Sequence, residues 1–234
     1  MNSRQTAYLD ALGITRWVER DRVGAAARAT RDAPAAAEHA AALHAPDTEQ
    51  LWGELVAQIS DCRGCALHKT RTRTVPGVGD RKAGLLVVGE APGADEDRQG
   101  EPFVGRAGKL LTNMLRAIGL EREQVYITNI LKCRPPGNRD PRPEEAAACR
   151  GYLERQMDLL APRLVLVVGR IAAQQLLQTD QPIGAMRGSV LQLPGRDIPV
   201  VVTYHPAYLL RSPEQKVKAW RDLQLVARLY NSTA

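Results

Sequence analysis

Four short apolar runs, separated by segments with helical spacing, constrain the fold of this chain more than any other feature. The runs are LLVVG at 85–89, VYITN at 125–129, LVLVVG at 164–169 and PVVVTYH at 199–205. Each has the length and the Val, Ile and Leu content of a strand that is buried on both faces. After the fourth run, a last segment with helical spacing puts four apolar residues on one face: Val217, Trp220, Leu223 and Val226. We therefore predict an α/β fold with three α/β/α layers around a mostly parallel, four-stranded sheet.

The first 48 residues differ in composition from the rest of the chain. Between Gly24 and Pro46 there are 12 Ala in 23 residues, and Leu43 is the one large apolar side chain. Such a segment cannot bury a core face, so we predict a linker at 23–48 and a folded domain at 49–234. Ahead of the linker, residues 1–22 carry an apolar patch that either folds back on the domain or docks onto another protein. Its members are Tyr8, Leu9, Leu12, Ile14, Trp17 and Val18.

The overall composition is that of a globular protein, with 44% hydrophobic and 25% charged residues. We expect no membrane span, because no uncharged apolar run reaches about 18 residues. Charged residues within Met1–Glu19 argue against a secretory signal, so a cytoplasmic protein is expected. The first 50 residues hold six of the 32 basic residues and seven of the 26 acidic ones. The remaining body is basic, which is compatible with an anionic partner such as nucleic acid.

The carboxyl ends of parallel strands are where an α/β sheet binds its ligands. Three segments with useful side chains follow strands and should meet at this edge: Gly89-Glu90-Ala91-Pro92-Gly93, Asn129 and Tyr204-His205-Pro206. The glycine turn brings backbone N–H groups close to a ligand, but it matches neither G-x-G-x-x-G nor G-x-x-x-x-G-K-[ST]. The sequence thus predicts a ligand site without motif support for a nucleotide cofactor.

Three side chains near this edge each have a structural and a functional interpretation. Phe103, the one Phe of the chain, lies among Gly, Pro and charged residues, where it either completes the core or stacks on a ring. Asn129 either caps a turn or reads the edge of an amide-like heterocycle, since it offers a donor and an acceptor together. His205 is either structural or catalytic. The residues alone leave these alternatives open.

The cysteines give the strongest signal for a metal centre: Cys62, Cys65, Cys133 and Cys149. The first two form C-x-x-C, and the wider second pair leaves no Cys over. Because we expect no export, disulfides are not predicted, and four thiolates suit either tetrahedral zinc or an iron–sulfur cluster. Four unrelated buried thiols are the remaining alternative.

Basic residues follow the same strand ends: Arg106, Lys109, Arg134, Arg139, Arg142 and Arg211. They either contact phosphates or form a solvated surface. After His205, the side chains of Tyr208, Leu209 and Leu210 could insert as an apolar wedge between stacked bases.

Several features, in the same order along the chain, resemble the family 4 uracil-DNA glycosylases, which carry a [4Fe–4S] cluster. They are GEAPGADEDRQGEPFVGRAGKLL at 89–111, TNILKCRPPGNRDP at 128–141, TYHPAYLLR at 203–211 and the cysteine spacing. The resemblance covers about 50–230. It implies a DNA repair enzyme that flips uracil out of DNA and hydrolyses its N-glycosidic bond. It also implies the cluster ligands Cys62, Cys65, Cys133 and Cys149.

The resemblance further implies roles for the residues at the strand ends. Phe103 would stack on uracil, Asn129 would pair with its N3–H and O4, and His205 would contact O2. The backbone at Gly89, Glu90 and Ala91 would line the base pocket and stabilise the negative charge on the departing base. From their position near the strand ends, we expect the DNA contacts to come from Arg106, Lys109, Arg134, Arg139 and Arg211.

One position departs from the pattern of many related glycosylases, which place an Asp where this chain has Ala91. The group that offsets the sugar cation and positions water must then be another carboxylate. We favour Glu90 for this catalytic role, with Asp95, Glu96 and Asp97 as alternatives.

A second, shorter resemblance concerns residues 7–20. This segment is similar to the N-terminal peptide of the psi subunit of bacterial DNA polymerase III, which docks on the clamp loader. It implies that Leu12, Ile14 and Trp17 tether the domain to the replicative clamp loader.

Two other functions remain open beside the enzyme. One is a protein that holds uracil-containing or abasic DNA without turnover, and the other is a zinc-stapled protein with a different nucleoside-type ligand. We expect a monomer associated with the bacterial nucleoid.

Overall fold

The computed structural model describes residues 47–232, and its centre is one six-stranded sheet. The strand order is β1-β3-β2-β4-β6-β5. The strands are β1 (Val78–Gly79), β2 (Leu85–Gly89), β3 (Tyr126–Asn129), β4 (Leu164–Val168), β5 (Val190–Gln192) and β6 (Pro199–Thr203). The pairs formed by β2, β3, β4 and β6 are parallel, whereas β1 and β5 are antiparallel edge strands.

The predicted α/β fold is confirmed, and the four parallel strands are the four apolar runs. Strands β2 and β4 are buried along their whole length, as expected for strands covered by helices on both faces. The two edge strands were not predicted. They have only two and three residues, and both are largely solvent-accessible, so they carry no apolar run.

The described helices cover both faces of the sheet and form the two outer layers. They are α1 (Thr48–Ser60), α2 (Ala94–Gln99), α3 (Arg106–Arg116), α4 (Pro143–Leu160), α5 (Arg170–Leu177), α6 (Ile183–Met186), α7 (Pro206–Arg211) and α8 (Lys216–Ser232). Short 3₁₀ turns lie at Ala66–Lys69, Arg122–Gln124, Pro136–Asn138 and Pro213–Gln215. One core lies under α1, α4 and α5, and a second lies under α3, α7 and α8.

Helix α8 is rotated relative to the predicted stripe. Leu223 and Val226 are buried as expected, but Val217 is 60% exposed and Trp220 is 42% exposed. The reason is Asp222, which is fully buried because it accepts hydrogen bonds from Thr203 Oγ1 at 2.9 Å and from Arg187. Turning Asp222 inward turns the first apolar residues of the helix outward.

The predicted docking peptide at 1–22 and the Ala-rich linker lie outside the described residues, apart from the last residues of the linker. Among residues 47–232, none of the helices combines the length and the apolar character that crossing a membrane requires.

Candidate active site

Gly89 is the point at which β2 and β3 bring the predicted site residues together. It pairs with Asn129 across the parallel strands. A Cβ on Gly89 would lie 2.4 Å from Asn129 Oδ1 and 2.6 Å from Phe103 Cζ. Glycine is therefore required here by space, since any side chain would displace both neighbours.

Asn129 presents an amide oxygen with no partner. The residue is 2% exposed, and Oδ1 has no hydrogen bond, although the backbone around it is fully engaged. For example, the N–H of Ile130 donates to Gly89 O at 2.9 Å. A buried, unpaired acceptor costs about 1–3 kcal/mol, so such a group is usually reserved for a ligand.

Phe103 packs into the core and also faces the strand ends. Its ring centre lies 5.7 Å from that of His205, with the planes tilted by 31°. The backbone has a φ of 54°, which is strained for a non-glycine residue. Gly108 permits this conformation, because a Cβ there would lie 1.7 Å from Phe103 O. The core and stacking interpretations are therefore compatible with each other.

His205 forms the N-cap of α7, and its Nδ1 accepts the N–H of Ala207 at 3.1 Å. This bond assigns the ring proton of the neutral imidazole to Nε2. Burial, assisted by the charge of Arg211, lowers the pKa of His205 to about 4. The side chain is therefore a neutral hydrogen-bond donor at physiological pH.

Glu90 follows Gly89 and lines a surface cavity together with Asp140, Arg170, Tyr204 and His205. Burial raises the pKa of Glu90 to about 7, and the nearby charge of Asp140 acts in the same direction, whereas Arg170 opposes it. A carboxyl group with this pKa changes its charge near neutral pH. Such a perturbed acid in a cleft is typical of a functional site.

The three alternative carboxylates hold loops instead of lining this cavity. Asp95 pairs with Arg98, and Glu96 accepts the N–H of Val104 at 3.2 Å. Asp97 is buried and accepts the N–H of Thr72 at 2.9 Å. Their contacts favour Glu90 among the four predicted carboxylates.

The four cysteines line one cavity between α1, α4 and the segment after β3, and none of them forms a disulfide. Several N–H groups point at their sulfurs. Arg71 Nη1 lies 3.1 Å from Cys133 Sγ, and the Lys132 N–H lies 3.3 Å from Cys149 Sγ. Such donors suit sulfurs that carry negative charge. Within residues 47–232, no three His, Cys, Asp or Glu side chains are grouped closely enough to hold a metal ion.

Comparison with known proteins decides the family. A model of the uracil DNA glycosylase superfamily matches residues 76–224. The chain belongs to this superfamily. A type-4 uracil-DNA glycosylase of Archaeoglobus fulgidus is 48% identical over 182 residues, which cover 75% of this chain and 92% of that relative. The type-4 enzyme of Thermotoga maritima is 41% identical over 172 residues, 73% of this chain and 88% of the relative. A type-5 uracil-DNA glycosylase of Thermus thermophilus is 39% identical over 120 residues, 45% of this chain and 54% of the relative.

In this member of the uracil DNA glycosylase superfamily, the basic residues that we predict to bind DNA have different surroundings. Arg106, Lys109 and Arg211 are exposed, and Arg211 lines the cavity beside His205. Arg134 Nε donates to Asn138 Oδ1 at 2.7 Å. Arg139 forms a two-point ion pair with buried Glu145, so its charge is already partly used within the protein.

Sequence reasoning missed two charged residues of the candidate site. Asp140 and Arg170 form an ion pair at 3.4 Å and border the cavity of Glu90. Arg170 is the second residue after the end of β4, so the rule that ligand sites lie at strand ends could have found it. Asp140 belongs to a polar loop with no periodic signal.

Proposed function

We propose that this chain excises uracil from DNA by hydrolysing its N-glycosidic bond. The unpaired Asn129 Oδ1, buried between Gly89 and Phe103, is the observation that carries the proposal. A uracil base flipped out of the DNA stack would supply the missing donor.

Recognition of the base follows from the side chains at this edge. Asn129 Oδ1 would accept the N3–H of uracil, and its Nδ2 would donate to O4. Cytosine has an acceptor at N3 and a donor at C4, so it would present the opposite pattern to both atoms. Phe103 would stack on the face of the base, and the absence of a side chain on Gly89 leaves room for its ring.

The chemical step would separate charge across the glycosidic bond. As the bond between C1′ and N1 breaks, its electron pair goes to the base, where O2 and O4 share the negative charge. His205 Nε2–H and the backbone at Glu90 and Ala91 would stabilise this charge. The neutral imidazole would donate a hydrogen bond from Nε2 to the base and keep its proton. Solvent then protonates the released uracil.

Glu90 would act on the sugar side of the bond. In its ionised form it would offset the positive charge on the sugar and accept a proton from the water that attacks C1′. Its place in the same cavity as His205 supports this role. The product is an abasic site in DNA.

We propose that the four cysteines hold an iron–sulfur cluster, although they are not grouped closely enough to hold a single metal ion. Four thiols and their N–H donors surround the cysteine cavity, and a [4Fe–4S] cluster held by Cys62, Cys65, Cys133 and Cys149 would supply a redox-capable centre. Because Cys133 follows β3 and Cys149 lies in α4, these shared ligands would fix the segment after β3 to α4, close to Asn129. We expect analysis of the purified protein to find about four iron atoms and about four acid-labile sulfides per chain. Stoichiometric zinc in a colourless protein would contradict the cluster.

An oligonucleotide with a single deoxyuridine tests the excision itself. The purified protein should produce an alkali-labile site at the uracil and leave a matched oligonucleotide with deoxycytidine intact. Firm binding of the uracil strand without base release would instead support the non-catalytic binder.

We also propose, from sequence alone, that residues 7–20 dock on the replicative clamp loader. A Trp17→Ala variant should lose clamp-loader binding in a pull-down while it retains excision. Full binding by the variant would contradict the tether. A monomer and a place on the nucleoid remain predictions.

A further inference from the structure

Lys132 is a buried lysine that the excision mechanism above does not use. The residue is 1% exposed and belongs to the segment between Asn129 and Cys133. Burying a lysine is costly unless each of its donors has a partner. Its position between the base pocket and the cysteine cavity therefore calls for a physical reason.

The three donors of the Lys132 ammonium meet three acceptors, each at 2.7 Å. They are Thr128 Oγ1, the backbone oxygen of Asn129 and Gln156 Oε1. The acceptors are themselves held in place. Thr128 Oγ1 donates to Pro76 O at 2.8 Å, and Gln156 Nε2 donates to the same oxygen at 2.7 Å. This fully satisfied network is a rigid arrangement in a low-dielectric interior.

The backbone of Lys132 connects the network to the cysteines. Its N–H donates to Cys149 Sγ at 3.3 Å, and its carbonyl accepts the N–H of Val75 at 2.8 Å. On the other side, the N–H groups of Ile130 and Leu131 donate to Gly89 O and Glu90 O. The segment is thus fixed at both ends, and the Lys132 ammonium fixes the Asn129 peptide between them.

We propose that Lys132 is a positioning residue for Asn129. The ammonium of Lys132 holds the backbone carbonyl of Asn129 and thereby orients the side-chain amide of Asn129. The backbone N–H of Lys132, bonded to Cys149 Sγ, connects this segment to the cysteine cavity. The inference rests on the proposed excision of uracil. A misplaced amide would lose transition-state contacts, because small errors in the position of a catalytic group lower the rate strongly.

A double-mutant cycle on the full-length, iron-loaded protein tests this role. Lys132→Met keeps the length of the side chain but removes its donors. Single-turnover uracil release should slow by about 10- to 100-fold with Asn129 present, and by less than about 3-fold in the Asn129→Ala background. Iron content and affinity for uracil-containing DNA should stay close to wild type. Lys82 is exposed and precedes the amino end of β2, at the opposite end of that strand from Gly89, so Lys82→Met is the matched control and should be unchanged.

Equal slowing in both backgrounds would overturn the inference, because it would show a general structural effect. An unchanged rate for Lys132→Met would overturn it too. If Lys132→Met loses iron or does not fold, Thr128→Val replaces it, since this variant removes one acceptor of the ammonium and keeps the shape of the side chain. The same dependence on Asn129 is then required. A wild type that releases no uracil would refute the proposed function and the inference together, whereas an active wild type with an additive cycle refutes the inference alone.

Discussion

At the scale of single residues, Gly89 has no room for a side chain beside the candidate site. A Cβ there would overlap Asn129 Oδ1 and the Phe103 ring, but Gly89 is not one of the glycines with a positive φ. We therefore predict that Gly89→Ala still folds, with a melting temperature lowered by the displacement of buried Phe103 and Asn129, and releases uracil at least about 100-fold more slowly. The measurement is single-turnover excision beside thermal unfolding.

Gly53→Ala is the matched control for this substitution. Gly53 lies in α1, and a Cβ there meets nothing within 4 Å. The variant should keep full activity and gain about 0.5–1 kcal/mol of stability, because alanine favours helix. A Gly89→Ala protein as active as wild type would show that the positions of Asn129 and Phe103 beside Gly89 do not control uracil release.

The pKa of Glu90 gives a prediction at the same scale. Burial raises it to about 7, so the ionised form that offsets the sugar cation becomes dominant only above that pH. We expect kcat/KM to rise with pH through a midpoint near 7, since this ratio reports the free enzyme. Glu90→Gln should lower the plateau by about 100-fold and abolish this limb. An unchanged limb in the Gln variant would assign it to another group.

The sequence predicted the residues that directly follow strands, and it missed residues placed by tertiary contacts. Asn129 and His205 stand out because each ends an apolar run and the ends of parallel strands converge. Lys132 and Gln156 gave no signal from spacing, since their pairing depends on how α4 packs behind β3. One hint to a buried Lys132 was present in the sequence: the lysine directly follows the apolar residues Ile130 and Leu131, which the structure shows to be buried.

At the scale of elements, the rotation of α8 is the clearest difference between pattern and structure. The apolar stripe correctly predicted that Leu223 and Val226 are buried. The orientation of the helix, however, is determined by buried Asp222, which bonds to Thr203 and Arg187. Hydrophobic spacing alone cannot predict this, because a paired carboxylate counts as polar in the pattern.

This rotation predicts unequal costs for two similar substitutions on α8. Leu223→Ala should lower the free energy of unfolding by about 2–5 kcal/mol, because it leaves a cavity in the core. Val217→Ala should change it by no more than about 0.5 kcal/mol, since Val217 is largely solvent-accessible. Chemical denaturation of both variants checks the prediction, and equal losses would contradict the orientation of the helix.

At the scale of the whole molecule, the fold class was predictable and the order of the strands was not. The apolar runs predict buried parallel strands, but their sequence does not say that β2 lies between β3 and β4. That order places Gly89 beside Asn129. The family resemblance supplied a function that the residues alone left open, and the match to the uracil DNA glycosylase superfamily confirmed the family.

Single-turnover release of uracil from a deoxyuridine oligonucleotide is the measurement that tests the account most directly. The comparison includes wild type, Asn129→Ala, His205→Ala and the Lys82→Met control. We predict complete release by wild type and control, and rates lower by about 100-fold or more for the two site variants at similar DNA affinity. A wild type that binds the DNA but releases no base, or site variants as fast as wild type, would contradict it.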